Sequence, residues 1–107
     1  MLKIDRKSQT KVDVFEGVVR KTLACGKDIL LARFEYDKGS KVPEHVHSYE
    51  QVTTVLQGKQ KVSIKEGDFM EEFIVESGDS YIVPAGYEHN QISLEETVTI
   101  DSWSLAP

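Results

Sequence analysis

The chain has 107 residues, 39% of them hydrophobic, and its 13 basic and 18 acidic residues give a formal net charge of -5 with the histidines neutral. We expect one domain over residues 1–107, and the acidic balance argues against nucleic acid as a partner. The single cysteine, Cys25, excludes an internal disulfide scaffold and a cysteine-based zinc finger.

The N-terminal segment, MLKIDRKSQT, is charged from its third residue and has no apolar run of the length that a signal peptide requires. No later stretch approaches the length of apolar sequence that a membrane span requires. These features predict a cytoplasmic protein that does not bind membranes.

Short runs of β-forming residues, separated by turn residues, follow one another along the chain. The first two flank the turn at residues 25–28 and read as a pair of strands. Five further runs follow, each ending near glycine, proline or aspartate. The predicted strands are residues 18–24, 29–36, 51–57, 59–65, 69–75, 80–84 and 97–103.

Strands of this length at nearly even spacing are typical of an antiparallel sandwich or barrel. The best helical candidate is DFMEEFIVE, residues 68–76, but its β-branched end and the flanking turn residues favour a hairpin arm. The sequence therefore predicts an all-β fold.

Two of the three histidines lie one residue apart, at His45 and His47. Side chains alternate along an extended chain, so these imidazoles point to the same side and can converge on one point. Imidazole nitrogen suits zinc, iron, copper and nickel, and the carboxamide oxygen of Gln51 is a supplementary ligand. Taken alone, the segment leaves a second interpretation open, in which both histidines are exposed polar residues near a proline.

The third histidine, His89, completes a pattern of two glycine-bounded motifs. The first motif runs from one glycine through five residues to His-x-His and a second glycine. The second motif runs from a glycine through five residues to Pro-x-Gly and then His89. This pattern resembles the two signature motifs of the cupins. The positions that carry the resemblance are Gly39, His45, His47, Gly58, Gly78, Pro84, Gly86 and His89.

The resemblance implies a small double-stranded antiparallel β-barrel, the jelly-roll arrangement, that holds a metal ion inside through three histidines and one oxygen ligand. His45, His47 and His89 occupy the histidine positions. The oxygen position, usually glutamate, is Gln51. Glu50 directly precedes it, but a shift of one residue reverses the face of a strand, so we expect Gln51 to point inward.

The expected cofactor is one divalent transition metal, and zinc, nickel, iron and manganese all remain candidates. A neutral Gln51 leaves the ligand set one charge more positive than a glutamate would. This difference favours a small anionic substrate.

Several short features resemble one cupin branch, the pectin-degradation cupins, which open the ring of unsaturated monouronates. These features are the short length, the segment RKSQ, the pair Glu50-Gln51 and the final IDSWS, where the branch carries Asp-x-Phe-Ser. The resemblance implies an enzyme that opens the ring of 4,5-unsaturated uronates, with Asp101 as the proton carrier.

Trp103 shares a strand face with Asp101 by period two and would form an aromatic wall, while Tyr49 and Tyr87 are candidates for the pocket mouth. Other interpretations remain open for these residues. Asp101 also fits a surface or turn-capping acid, Trp103 a core residue, and both tyrosines fit ordinary packing.

The chain departs from this branch after its last predicted strand. There the branch has an arginine suited to hold a carboxylate, and this chain has Leu105, Ala106 and Pro107. Arg20 and Arg33 are the candidate substitutes, and the sequence places neither in the pocket. Two other functions therefore stay open: a cupin dioxygenase with a redox-active metal, and a binding module without catalysis.

A homodimer is also expected, because small cupins commonly pair through an outer sheet face. The N-terminal part of the chain offers apolar side chains for such a contact. They are Val12, Val14, Val18 and Val19.

Overall fold

The computed structural model describes residues 2–104 of the chain, so the departure at residues 105–107 lies outside the described residues. Within this range there are ten strands, no α-helix and one 3-10 turn at Arg6–Ser8, and none of it contains a helix able to cross a membrane. The strands are β1 (Lys11–Phe15), β2 (Val18–Cys25), β3 (Ile29–Tyr36), β4 (Lys41–Val46), β5 (Gln51–Gln57), β6 (Lys59–Glu66), β7 (Phe69–Glu76), β8 (Ser80–Val83), β9 (Glu88–Ser93) and β10 (Thr97–Ser104).

The strands form two antiparallel sheets. One has the order β1-β2-β3-β10-β5-β8, and the other has the order β4-β9-β6-β7. Strands that are distant in sequence, such as β3 and β10, lie side by side because the chain passes back and forth between the sheets. The predicted all-β jelly-roll fold is confirmed.

All seven predicted strands are present, and residues 68–76 contain β7, which pairs with β6 along its length and is not helical. The strands β1, β4 and β9 were not predicted. In β9 the side chains that point inward are His89, Gln91 and Ser93, all buried. A strand whose buried face is polar lacks the apolar alternation by which sequence patterns reveal strands.

The strand β10 also buries polar side chains. Thr97, Thr99 and Asp101 are 1%, 0% and 2% exposed, whereas Val98 and Ile100 between them face outward and are half-buried. Burying polar groups is costly unless they are hydrogen-bonded, so an interior of this kind requires a connected polar network. That network forms part of the site described below.

The motif glycine Gly58 lies between β5 and β6 with φ of 95°. A side chain here would meet the carbonyl oxygen of Glu96 and the backbone of Thr97, so no residue larger than glycine fits without a shift. The close approach holds the start of β10 against the β5–β6 turn, where the Lys59 amide donates to the Thr97 hydroxyl at 3.2 Å.

The four N-terminal valines on which the expected dimer surface depends do not all lie on the outside. Val18 is 1% exposed and packs in the core with Tyr36 and Val42, so it cannot contribute to an outer surface. Val12 remains 45% exposed on β1. Val52, Leu56 and Ile82 are exposed on the outer face of the larger sheet.

Candidate metal centre

Three imidazoles meet at one point between the two sheets. His45 on β4 is paired in register with His89 on β9, and His47 follows directly after β4. The ring centroids lie 4.0 Å apart for His45 and His89, 4.8 Å for His47 and His89, and 5.6 Å for His45 and His47. Their candidate ligand atoms all lie within 4.8 Å of one another, so the three residues can hold one metal ion.

Backbone carbonyls set the tautomers of two of these rings. His45 Nδ1 lies 3.0 Å from the Pro43 carbonyl oxygen, and His47 Nδ1 lies 2.8 Å from that of Tyr49. A carbonyl only accepts hydrogen bonds, so each Nδ1 carries the proton and, in the neutral ring, Nε2 presents a lone pair. This is the usual arrangement around a metal-binding histidine.

His89 is 2% exposed, and burial together with neighbouring His45 and His47 lowers its pKa to about 3. The ring is therefore neutral near pH 7 and offers a lone pair. Its Nδ1 atom is buried without a hydrogen-bond partner among residues 2–104. A buried, neutral and unpartnered imidazole fits a metal ligand well.

The side chain of Gln51 connects the histidines to the polar interior. Its Oε1 lies 3.1 Å from His47 Nε2 and accepts a hydrogen bond of 2.9 Å from Trp103 Nε1. His47 Nε2 and Gln51 Oε1 therefore face each other with lone pairs, a repulsive arrangement that a shared cation satisfies. Gln51 is 4% exposed and Glu50 is exposed, in the orientation that alternation predicts.

Asp101 lies deep beside Gln51. Its Oδ2 accepts hydrogen bonds of 3.0 Å from both Gln51 Nε2 and Thr53 Oγ1, and its Oδ1 accepts one of 2.6 Å from Thr99. Burial raises the pKa of this carboxyl to about 6, against the lowering effect of the Thr99 and Thr53 hydrogen bonds. The alternative of a surface acid is therefore wrong for Asp101.

A cavity of about 570 Å³ opens beside these groups and is large enough for a monosaccharide. Tyr87 is not among its lining residues; it packs against the core and contacts Phe69, with ring centroids 5.8 Å apart. The candidate site residues that line the cavity are His45, Tyr49, Gln51, His89, Asp101 and Trp103.

Aromatic rings form one wall of this cavity. Tyr49 stacks on His47 with ring centroids 4.2 Å apart and planes inclined by 2°. Trp103 is half-buried and contacts Tyr49 and Phe34 edge to face, at 6.4 and 5.7 Å. Trp103 thus lines the cavity and also orients the Gln51 amide through its indole N–H.

Sequence reasoning did not identify Thr53 and Thr99 as partners of Asp101, and it left Arg20 unplaced. Period-two alternation provides a signal for each of them. Thr99 lies two residues before Asp101, and Thr53 two residues after Gln51. Arg20 lies two residues after buried Val18 and lines the cavity.

The family profile described as "Cupin domain" matches residues 32–100 of the chain. This match covers both histidine motifs and the strands β4 to β9, as well as parts of β3 and β10. Comparison with curated protein sequences finds no match.

Among solved structures, an RmlC-like cupin from Shewanella frigidimarina superposes with a TM-score of 0.86 at 23% identity, covering 99% of this chain and 92% of that one. KdgF from Halomonas sp. superposes with a TM-score of 0.83 at 25% identity, covering 96% and 92%. Bacillus subtilis oxalate decarboxylase, which has Mn(II) centres, superposes with a TM-score of 0.82 at 15% identity, covering 92% and 28%. By its profile match and its fold, this chain belongs to the cupin family.

Proposed function

We propose that the chain is a metal-dependent enzyme that opens the ring of a 4,5-unsaturated uronate. The observation that carries the proposal is the hydrogen bond between Gln51 and Asp101, which joins the histidine cluster to a buried carboxylate beside the cavity. A proton carrier and a cluster able to bind a cation then face one substrate together.

Four residues would hold the metal: His45, His47, His89 and, through Oε1, Gln51. The donor set of three imidazoles and one carboxamide oxygen suits a divalent transition metal. Such an ion would supply Lewis-acid stabilisation of the negative charge that develops on oxygen during ring opening.

The reaction needs only proton transfers and conserves all atoms of the substrate. A 4,5-unsaturated uronate is both a hemiacetal at C1 and an enol ether at C5. Asp101 takes the proton of the C1 hydroxyl as the bond between C1 and the ring oxygen breaks, leaving an aldehyde at C1 and an enolate at C5. Proton delivery to C4 then gives the ketone, and Asp101 returns to its initial state.

The surrounding residues suit a sugar ring and hold the proton carrier in place. Thr53, Thr99 and Gln51 hold both carboxylate oxygens of Asp101 in place. Tyr49 and Trp103 provide an aromatic surface on which the apolar face of a pyranose can pack. The structural similarity to KdgF over 96% of this chain further supports the proposal of a small single-domain cupin enzyme.

We also propose that the protein is a cytoplasmic homodimer. Val52 on β5 is paired with Ile82 on β8, and both side chains are exposed, at 44% and 59%. Leu31 on β3 is 37% exposed and faces Ser102, the residue of β10 that also pairs with Val52. These neighbours form an apolar patch on the outer sheet face that a second copy would cover.

The deciding experiment is a turnover assay on the metal-loaded protein with elemental analysis of the same sample. Unsaturated galacturonate should lose its absorbance at about 230 nm, faster than the spontaneous rate and without oxygen uptake. Oxygen uptake would indicate a dioxygenase instead. Ligand binding without turnover would indicate a binding module.

A further inference from the structure

Arg20 brings a cationic side chain to the cavity. It lies on β2, is half-buried and lines the cavity that also contains Asp101 and His89. Its Nε is buried without a hydrogen-bond partner among residues 2–104. No ion pair within the same range involves Arg20.

Because Arg20 lines the cavity and has no ion-pair partner among residues 2–104, its guanidinium is available to an anionic ligand that enters the cavity. Of the described residues that line the cavity, Arg20 is the only one with a permanent positive charge, and Asp101 is the only carboxylate. The cavity wall thus has a cationic group on β2 and an acidic group on β10.

Sheet register determines the separation of these two groups. Arg20 on β2 pairs with Phe34 on β3, and Phe34 pairs with Thr99 on β10. Arg20 is therefore level with Thr99 across two strand spacings, and Asp101 lies two residues beyond Thr99 on β10. Ordinary strand spacing and rise put the two Cα atoms about 12 Å apart. Both residues line the same cavity, so a ligand bound there can contact the carboxylate and the guanidinium together.

We propose that Arg20 binds the carboxylate of the substrate. Its guanidinium would donate two parallel hydrogen bonds to the carboxylate oxygens, a geometry that lysine cannot reproduce. The uronate ring would then lie between Arg20 and the Asp101 carboxylate that moves the proton. This inference rests on the proposed function, because it takes the substrate to be a uronate. It gives the chain a carboxylate anchor on β2, in a different place from the C-terminal arginine of the pectin-degradation cupins.

Arg33 provides a matched control. It lies on the neighbouring strand β3 but faces outward, where its Nε is 3.4 Å from Glu35 Oε2, and it does not line the cavity. Arg33→Gln removes the same charge as Arg20→Gln without touching the proposed anchor. The two variants therefore separate a local contact from the effect of net charge.

The experiment measures calorimetric binding of galacturonate and of galactose to the metal-loaded wild type and variants, together with KM and kcat on unsaturated galacturonate. Wild type and Arg33→Gln should bind galacturonate more tightly than galactose. Arg20→Gln should weaken galacturonate binding and raise KM about 10- to 100-fold, with little change in kcat or galactose affinity. Arg20→Lys should show a smaller loss, because the charge remains but the paired donors do not.

Three outcomes would overturn the proposal. These are no preference for galacturonate in the wild type, unchanged galacturonate affinity in Arg20→Gln, and equal loss of galactose and galacturonate affinity in both Arg20 variants. The last result would show that Arg20 is structural. If the wild type turns over the substrate and Arg20→Gln leaves KM unchanged, only the inference about Arg20 is wrong. If galacturonate binds selectively through Arg20 but is not turned over, the proposed ring-opening function is wrong and the carboxylate site is supported.

Discussion

Gln51 donates a hydrogen bond of 3.0 Å from Nε2 to Oδ2 of Asp101, while its Oε1 lies 3.1 Å from His47 Nε2. The two ends of one carboxamide thus have opposite roles: the N–H group donates to the carboxylate, and the oxygen presents a lone pair to the position that a cation held by the histidines would occupy. A glutamate has no donor when ionised and could not satisfy both. This explains why a glutamine suits the position where cupins usually have glutamate.

Gln51→Glu should raise KM more than it lowers kcat. The new carboxylate adds negative charge beside the metal ligands and lies against Asp101, where like charges repel. Binding of an anionic substrate therefore weakens. Steady-state kinetics on the metal-loaded protein test this, with Gln57→Glu, an exposed change on the same strand, as the control. A lower kcat at unaltered KM would contradict the explanation.

His47→Ala should remove most of the metal, because it deletes one of three converging imidazoles and the partner of Gln51 Oε1. Elemental analysis measures the metal, and circular dichroism checks that the β-sheet signal persists. Glu50→Gln is the matched control, since Glu50 is exposed and should retain full metal content. Full occupancy in His47→Ala, or loss in Glu50→Gln, would show that the ligand set is wrong.

Asp101→Asn should lower kcat by about 10²-fold or more while metal content and fold persist. The carboxamide keeps the size of the side chain but cannot carry a proton between substrate atoms. The control is Asp28→Asn, a change in the exposed turn before β3. Retention of most activity in Asp101→Asn would show that another group carries the proton.

Tyr81→Phe should reduce the loss of stability in alkali. Burial, and secondarily the charge of Asp101, raises the pKa of the Tyr81 phenol, so the folded state keeps a proton that the unfolded state releases near pH 10. Because the folded pKa is raised, the wild-type free energy of unfolding is unaffected below about pH 10 and falls above it.

Urea unfolding of both proteins at pH 7 and at several values between about pH 9 and 11 measures the difference. At pH 7 the variant should be at least as stable as the wild type, since the Tyr81 hydroxyl is buried without a hydrogen-bond partner among residues 2–104. Parallel pH dependences for the two proteins would contradict the assignment.

Sedimentation should show a dimer at tens of micromolar, roughly the range in which an interface of standard size stays associated. Val52→Lys places a charge in the apolar patch and should give monomers, while Gln57→Lys, an exposed change at the far end of β5, serves as the comparison. A wild-type monomer at this concentration would exclude the dimer.

Local periodicity was enough to predict much of the candidate site. The His-x-His spacing places His45 and His47 on one side of an extended segment, and alternation turns Gln51 inward and Glu50 outward. On β10 the same rule puts Asp101 and Trp103 on one face, but it does not show that this face is buried, because the apolar residues of the strand are Val98 and Ile100 on the other face. Each of these outcomes depends on neighbours within a few positions, which the sequence displays directly.

Only the tertiary structure decided which distant strands lie side by side. Arg20 reaches the cavity because β2 pairs with β3 and β3 with β10, whereas Tyr87 lies beside a metal-ligand candidate in sequence and packs away from the cavity. Val18, on the same strand as Arg20, packs in the core against Tyr36 and Val42. The physical reason is that sheet order and register arise from the packing of the whole chain, and period-two alternation within one strand carries no information about its partner.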